Sequence, residues 1–352
     1  MLQVLYYDDE GGIPHRDAET IKERLELTRE IRCDLQSPPR DFADLPHEIP
    51  DAVLIDFDLR SAHDVNYFGS TLAAELRMRH PSCPIILITR PEVISGRSSQ
   101  MRKNLDLDHI LYKNEIIEKP ENVIKQISIL VKGTQTISKL RSEEKSWESV
   151  VTAMGATPDE LNDLREAFPP VEGKDWEVPQ MSRWIRETVL TYPGILYDDL
   201  HASARLGINI ESFSLEEIET FFHSALYTGI FDGFHGRRWW SNRIIGAAKT
   251  LMLELDIPGP VTEGFAGAFQ TKFSVPLSPA ICITDGTVPA DWVCYILRQP
   301  VKYQNSLPYH PDNRPPVMDQ ARVSFKAIRE EQAFDETLVD ADYRDIVEAL
   351  WK

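Results

Sequence analysis

The chain has 352 residues, of which 42% are hydrophobic and 24 are proline. This length exceeds what one hydrophobic core usually holds, so two or three domains are expected. No apolar run approaches the ~20 residues needed to cross a bilayer, which excludes a membrane-spanning protein. The N-terminus lacks the basic start and apolar stretch of a signal peptide, so a cytoplasmic protein is expected.

The cysteines and the charge exclude two further classes of function. The four cysteines, Cys33, Cys83, Cys282 and Cys294, lack CxxC spacing, which predicts reduced thiols and no zinc site. The net charge is −18, and the dense basic patch of the chain is the short stretch GRRWWSNR, residues 236–243. Because binding to nucleic acid depends on clustered basic residues, a nucleic-acid partner is disfavoured.

The first 130 residues alternate between continuous apolar runs and helical patterns. The apolar runs include LQVLYY (2–7), AVLIDFDL (52–59), PIILIT (84–89) and HILYK (109–113). Segments with helical spacing lie between and after them, and Pro120 opens the last one. Continuous apolar strands separated by helices are typical of a parallel sheet covered on both faces. This part of the chain is therefore predicted to be an α/β fold.

Chemically active side chains stand where these strands end. They comprise carboxylates after the first strand and at the end of the third, a hydroxyl after the fourth and an ammonium after the fifth: Asp8, Asp9, Glu10, Asp56, Asp58, Thr89 and Lys113. In such sheets the working residues lie at the carboxyl ends of the strands, so these groups are expected to converge. Oxygen ligands suit Mg²⁺, and a hydroxyl and an ammonium can hold phosphate oxygens.

On these residues the chain from 1 to about 132 resembles the receiver domain of a two-component response regulator. The resemblance implies a flavodoxin-like, doubly wound, five-stranded parallel sheet. It also implies that Asp56 accepts a phosphoryl group, that Thr89 is the switch hydroxyl and that Lys113 contacts the phosphoryl group. Mg²⁺ would be positioned by Asp8, Asp9 and Asp56, with help from the main-chain carbonyl of Asp58.

Four positions depart from the pattern of that family. Arg90 follows the switch Thr89, where a small residue is usual, and Asn114 follows Lys113, where proline is usual. Ile110 replaces a frequent aromatic residue, and Arg60 replaces a frequent proline. A degenerate receiver that folds but serves as a docking module therefore stays open as an alternative.

The rest of the chain resembles no family. Residues 133–177 read as a helical linker, residues 178–270 as a helical domain, and residues 271–352 as a small α+β region that is either separate from 178–270 or part of one domain with it. Three output classes stay open for this part: contact with a protein partner, which is preferred, DNA binding by a transcriptional regulator, and an enzyme. The enzyme alternative would use a set such as Cys294, His310 and Asp312.

The preferred hypothesis is a signalling protein in which phosphorylation at Asp56 controls a C-terminal output that acts by protein contact. Its expected partners are a sensor histidine kinase or a phosphotransfer protein, and a protein bound by the C-terminal region. A homodimer is left open. Apart from phosphotransfer to its own aspartate, no enzymatic activity is preferred.

Overall fold

The computed structural model describes residues 1–9, 16–48, 50–60, 62, 65–91, 107–167, 176–311, 314–315, 317–330 and 334–351. They form two compact units, the first made of Met1–Val150 and Val171–Ile185, and the second of Val151–Pro170 and Arg186–Lys352. In the described ranges, every helix is too short or too polar to cross a bilayer. The sequence predicted domain boundaries at residues 133, 178 and 271. Those boundaries refer to domains that fold independently, which a division into compact units does not test, so they stay a prediction.

The first unit is built on a five-stranded parallel sheet. Its strands are β1 (Leu2–Tyr7), β2 (Ile31–Gln36), β3 (Ala52–Asp56), β4 (Ile85–Thr89) and β5 (His109–Tyr112). The strand order is β2-β1-β3-β4-β5, and every neighbouring pair is parallel. This order is that of flavodoxin-like doubly wound sheets, so the predicted fold class is confirmed. All residues of β3 and β4 are buried, which explains why both strands read as continuous apolar runs.

The described helices that follow the strands of the sheet are α1 (Arg16–Leu25), α2 (Gly69–Arg79), α3 (Lys113–Glu118) and α4 (Pro120–Ser142). Pro120 stands in the first turn of α4, where its missing N–H costs no hydrogen bond. The 23 residues of α4 run unbroken through Gly133, which is buried. A glycine inside a helix is tolerated here because the surrounding face of α4 is packed.

The remaining elements follow in chain order. The helices are α5 (Trp147–Ala153), α6 (Pro158–Ala167), α7 (Val178–Arg183), α8 (Asp199–Arg205), α9 (Ile210–Phe213), α10 (Glu216–Phe221), α11 (Ser241–Glu254), α12 (Val261–Phe273), α13 (Phe325–Arg329) and α14 (Arg344–Trp351). The strands are β6 (Leu196–Tyr197), β7 (Trp239–Trp240), β8 (Trp292–Val293), β9 (Pro300–Val301), β10 (Ser306–Pro308) and β11 (Arg322–Ser324). In the described part of the chain, β6 pairs with β7, β8 with β9 and β10 with β11, so a mainly helical region followed by a small α+β part is confirmed.

Aromatic side chains fill the helical core of the second unit. One cluster contains four phenylalanines, each at most 1% exposed: Phe213, Phe222, Phe265 and Phe269. Trp239 is also in that cluster and meets the Phe213 ring edge-on at 5.3 Å. The paired tryptophans of the basic patch are therefore core residues, as their apolar size favours.

Two hairpins of the second unit repeat the same hydrogen-bond pattern. In the first, the Cys282 N–H donates to the Thr287 carbonyl at 2.9 Å, and the Gly286 N–H donates back to the Cys282 carbonyl at 2.9 Å. In the second, Cys294 and Gln299 are joined at 2.8 Å, and Arg298 donates to the Cys294 carbonyl at 2.9 Å. The fifth residue of each hairpin is left-handed, with φ of 73° at Gly286 and 50° at Arg298.

Candidate functional site

Four of the predicted site residues lie at one edge of the sheet. Asp8 follows β1, Asp56 ends β3, Thr89 ends β4, and Lys113 follows β5 as the first residue of α3. Because these four strands are parallel, their carboxyl ends meet at the same edge. Asp8, Asp56 and Thr89 are buried there, at 0%, 7% and 2% exposure.

The Lys113 ammonium joins two of the carboxylates. Its Nζ lies 2.7 Å from Asp56 Oδ1 and 3.6 Å from Asp8 Oδ2. The Tyr6 hydroxyl donates a hydrogen bond of 2.5 Å to the same Asp8 oxygen. Asp8 is thus held by a phenol and an ammonium together, and a charge-assisted bond of this kind fixes its orientation.

The three carboxylates of Asp8, Asp9 and Asp56 form a donor set that suits a hard cation. One oxygen from each can be chosen so that all three lie within 4.8 Å of one another. Three carboxylates face one ammonium, so a divalent cation would balance the remaining charge, and oxygen donors are those that Mg²⁺ and Ca²⁺ prefer. The residues therefore fit the predicted Mg²⁺. Glu10, the third acid of the DDE stretch, lies outside the described residues.

Burial changes the acidity of the central aspartate. Removal from water raises the pKa of Asp56 from its ordinary 3.8 to about 6, because the charged form is the more strongly hydrated one. The Lys113 ammonium lowers this pKa, whereas the charges of Asp8 and Asp9 raise it. Asp56 is therefore largely ionised at neutral pH, and it is more basic than an exposed aspartate.

The Asp58 side chain points to a different partner. Its carboxylate accepts hydrogen bonds from Arg60, from Nε at 2.9 Å and from the terminal nitrogen at 2.8 Å, and these bonds lower the pKa of Asp58. The Arg60 guanidinium also lies 4.1 Å from the centre of the Phe68 ring. The Asp58 main-chain N–H donates to Asp56 Oδ2 at 3.3 Å. Its carbonyl as a metal ligand stays a prediction.

The two residues that depart most from the receiver pattern lie beside the site. The Arg90 guanidinium donates to Asp17 Oδ2 of α1 at 2.7 Å, and both side chains are about half exposed. Arg90, Asp17, Lys113 and Asn114 line a cavity of about 270 Å³. The Thr89 hydroxyl makes a long hydrogen bond, 3.4 Å, to the Arg90 carbonyl. Arg90 is thus paired with α1 and stands at the rim of the pocket.

Three contributors to this site were missed from the sequence. Tyr6 could have been found, because residues two apart on a strand share a face and Asp8 follows it by two. Asp17 and Gly69 gave no signal, since both act through contacts distant in sequence. A Cβ atom on Gly69 would lie 2.2 Å from the Asp56 carbonyl oxygen, so only glycine allows α2 to begin against β3.

The alternative catalytic set of the C-terminal region is not assembled in the described contacts. Cys294 is fully buried, and its sulfur accepts main-chain hydrogen bonds from Leu297 at 3.5 Å and Ser324 at 3.3 Å. The half-exposed His310 lies next to Asp340, with 3.2 Å between His310 Nε2 and Asp340 Oδ1. Asp312 lies outside the described residues. A buried thiol held in this way has a structural role.

Comparison with solved structures returns receiver domains. The chain is similar to the response regulator DrrB of Thermotoga maritima, an OmpR/PhoB homolog, with 18% identity over 38% of this chain and 53% of that one and a TM-score of 0.29. It is also similar to a CheY-like receiver domain protein of Methanospirillum hungatei, with 16% identity over 36% of this chain and 97% of that one and a TM-score of 0.27. A third similar structure is the receiver domain of RcsB from Salmonella enterica serovar Typhimurium in the presence of the phosphomimetic BeF3-. Its identity is 21% over 38% of this chain and 89% of that one, and the TM-score is 0.29.

The chain thus spans about half the length of the first of these proteins and most of the other two. No family model matches the chain, and no curated protein matches it either. At these identities the likeness concerns the fold, which the strand order of the sheet already establishes.

Proposed function

We propose that residues 1 to about 132 are a phosphoacceptor module of a signalling protein, and that Asp56 is the residue that is phosphorylated. The observation that carries this proposal is the position of Lys113 Nζ, 2.7 Å from Asp56 and 3.6 Å from Asp8, at the edge where Asp9 also lies. A carboxylate nucleophile, a cation-binding pair of acids and a phosphate-binding ammonium are the parts that phosphoryl transfer to an aspartate needs.

In the proposed reaction an Asp56 oxygen forms a bond to phosphorus while the bond between phosphorus and the donor's leaving group breaks. The ionised form of Asp56 is the nucleophile, and its pKa of about 6 leaves it ionised at neutral pH. Lys113 then pairs with the oxygens of the new phosphoryl group. Mg²⁺, when bound by Asp8, Asp9 and Asp56, would offset the repulsion between carboxylate and phosphoryl group.

Phosphorylation would alter the neighbouring strand through Thr89. Its hydroxyl donates the long bond of 3.4 Å to the Arg90 carbonyl, so it can turn and donate to a phosphoryl oxygen instead. That movement would act on Arg90 and on its ion pair with Asp17 of α1. We propose that the resulting change at this edge controls binding of a protein partner to the C-terminal region, with a sensor histidine kinase or a phosphotransfer protein as the donor.

The test is the intact mass of the full chain after exposure to a small phosphodonor, acetyl phosphate, with Mg²⁺. One phosphoryl adduct is expected on the wild type and none on Asp56→Asn. Asp58→Asn is the matched control, because it removes a neighbouring carboxylate and keeps the main-chain carbonyl, so it should still form the adduct. An adduct on Asp56→Asn would contradict the assignment of the acceptor.

Absence of an adduct on the wild type would favour the second candidate function, a docking module that is not phosphorylated. The Arg90–Asp17 ion pair at the rim of the site is the observation that favours it, because it holds an arginine where a small residue would leave the pocket open. A pull-down with the Asp56→Asn chain would then recover the same partners as the wild type.

An output through nucleic acid remains disfavoured in this proposal because the basic patch is engaged within the protein. Arg237 pairs with Asp199 and Glu219, and Arg243 pairs with Glu160. Duplex binding depends on the net positive charge that a patch presents to many phosphates, and these paired guanidinium groups add little to it. Strongly salt-dependent binding of the full chain to duplex DNA would contradict this part of the proposal.

A further inference from the structure

A cavity of about 370 Å³ lies within the second unit. Its walls come from α8, from the hairpin that carries β8 and β9, from the segment before β6, and from the loop before β11. Cavities of this size hold small molecules, and those that bind ligands combine apolar walls with a few fixed polar groups. This cavity has both kinds of wall.

The polar wall of the cavity carries several cationic side chains, although the protein as a whole is acidic. Three arginines, Arg205, Arg298 and Arg314, line the cavity together with His201. The carboxylates of the lining are Asp291 and Asp319, and a third, Asp198, pairs with Arg298, so the three arginines are matched by three acids. Several guanidinium groups around one cavity are a recognition device for phosphate or carboxylate.

Two of these guanidinium groups are held in place by aromatic rings. Arg205 lies 3.6 Å from the centre of the Trp292 ring, and it donates to Asp319 Oδ2 at 2.5 Å. Arg314 lies 4.9 Å from the Tyr192 ring and 5.6 Å from a second tyrosine ring of the lining, and it donates to the Asp319 carbonyl at 3.0 Å. Groups fixed in this way lose little freedom when a ligand binds.

The third guanidinium belongs to Arg298, at the left-handed position of its hairpin. The equivalent position of the twin hairpin is Gly286, the residue type that tolerates a positive φ. An arginine in this conformation is unfavourable for the backbone, so its side chain is expected to serve a purpose. That side chain donates to Asp198 Oδ2 at 2.7 Å.

The same carboxylate orients the histidine of the cavity. Asp198 Oδ1 lies 2.7 Å from His201 Nδ1, which therefore donates to it. This leaves Nε2 as the second polar atom of the ring, and among the described residues no partner is recorded for it. Arg298 and His201 are thus held by one aspartate at the same wall of the cavity.

We propose that this cavity binds a nucleoside monophosphate. Arg314 and His201 would take the phosphate, Arg298 would join them by exchanging Asp198 Oδ2 for a phosphate oxygen, and the rings of Tyr192 and Tyr295 would take the base. The combination of cations with aromatic rings selects a ligand that joins an anionic group to a planar ring, and the enclosed size favours a mononucleotide. This site is separate from Asp56 and does not depend on its phosphorylation.

The experiment is isothermal titration of the full-length protein with AMP, GMP, CMP and UMP, and with adenosine and ribose 5-phosphate for comparison. At least one mononucleotide should bind, at least tenfold more tightly than ribose 5-phosphate and, where AMP is the ligand, than adenosine. Binding of none of the four at millimolar concentration would overturn the proposal. Equal affinity for ribose 5-phosphate would overturn the role of the two tyrosine rings.

Variants decide whether the binding occurs in this cavity. Arg298→Gly and Arg314→Gln should each weaken binding about tenfold or more, the usual effect of losing a charge-assisted bond. Arg298→Gly should keep the thermal midpoint of the wild type within a few degrees, because glycine is native at the equivalent position of the twin hairpin. Lys272→Gln, an exposed ion-paired lysine of α12 that is absent from the lining of the cavity, is the control and should bind like the wild type. Unchanged affinity in both cavity variants would overturn the assignment.

Discussion

Replacing Asp56 by asparagine should stabilise the folded protein, and by an amount that depends on pH. The pKa of Asp56 is 3.8 in an unfolded chain and about 6 in the folded one. As the pH rises from about 4 to 6, the unfolded chain releases this proton before the folded chain does, so the contribution of this group to stability falls. At about 1.4 kcal/mol per pH unit, the loss amounts to about 3 kcal/mol once both states are ionised.

Asparagine resembles the protonated side chain in size and charge, so Asp56→Asn should not lose this free energy. The gap between variant and wild type should be about 1 kcal/mol at pH 4.5 and about 3 kcal/mol at pH 8, in EDTA. Lys113 is not left alone in the variant, because Asp8 lies 3.6 Å from its Nζ. The assay is urea unfolding at both pH values, followed by the circular dichroism of the whole chain.

Two further arms of that experiment test the reasoning. Adding Mg²⁺ should narrow the gap, because a cation that binds the ionised site stabilises the wild type more than the variant. Asp58→Asn should not stabilise the protein at pH 8, since the Arg60 hydrogen bonds lower the pKa of Asp58 and favour its charged form. A gap that is equal at the two pH values, or an Asp56→Asn protein that is the less stable one at pH 8, would refute the account of Asp56.

Four other substitutions test the packing. Gly69→Ala should cost about 2 kcal/mol or more in urea unfolding, because its Cβ would meet a carbonyl oxygen at 2.2 Å, whereas Gly246→Ala on open space in α11 should gain about 0.5–1 kcal/mol. Glu160→Ala should cost about 2–4 kcal/mol, because it leaves Arg243 without the buried carboxylate at 2.6 Å, and a stability equal to the wild type would show that solvent replaces the pair. Gly286→Ala should lower the free energy of unfolding by about 1 kcal/mol, the cost of a left-handed alanine, and no change would contradict the strain assigned to the twin hairpins.

The sequence predicted the sheet because β3 and β4 are buried on both faces, so their runs are continuously apolar. It also predicted that Asp8, Asp56 and Lys113 would meet, because parallel strands bring their ends to one edge. The Arg90–Asp17 pair was beyond reach, since the two residues are 73 positions apart and neither belongs to a periodic pattern.

The second unit was less accessible for a different reason. Strands β6 to β9 have two residues each, which is too short for any alternation to appear. Its cavity draws on segments from Thr191 to Ala321, and only folding brings them together. The left-handed backbone at Arg298 could have been suspected only because Arg298 follows Cys294 by four residues, as Gly286 follows Cys282 in the first hairpin.

The unbroken helix α4 has a mechanical consequence. Its 23 residues, at about 1.5 Å each, make a rod about 34 Å long, and its first residue follows Lys113 by seven positions. A tilt of about 5° at the end near the carboxylates would displace the other end by about 3 Å. That distance is about the length of a hydrogen bond, so a small tilt of α4 would suffice to break or form contacts at its far end.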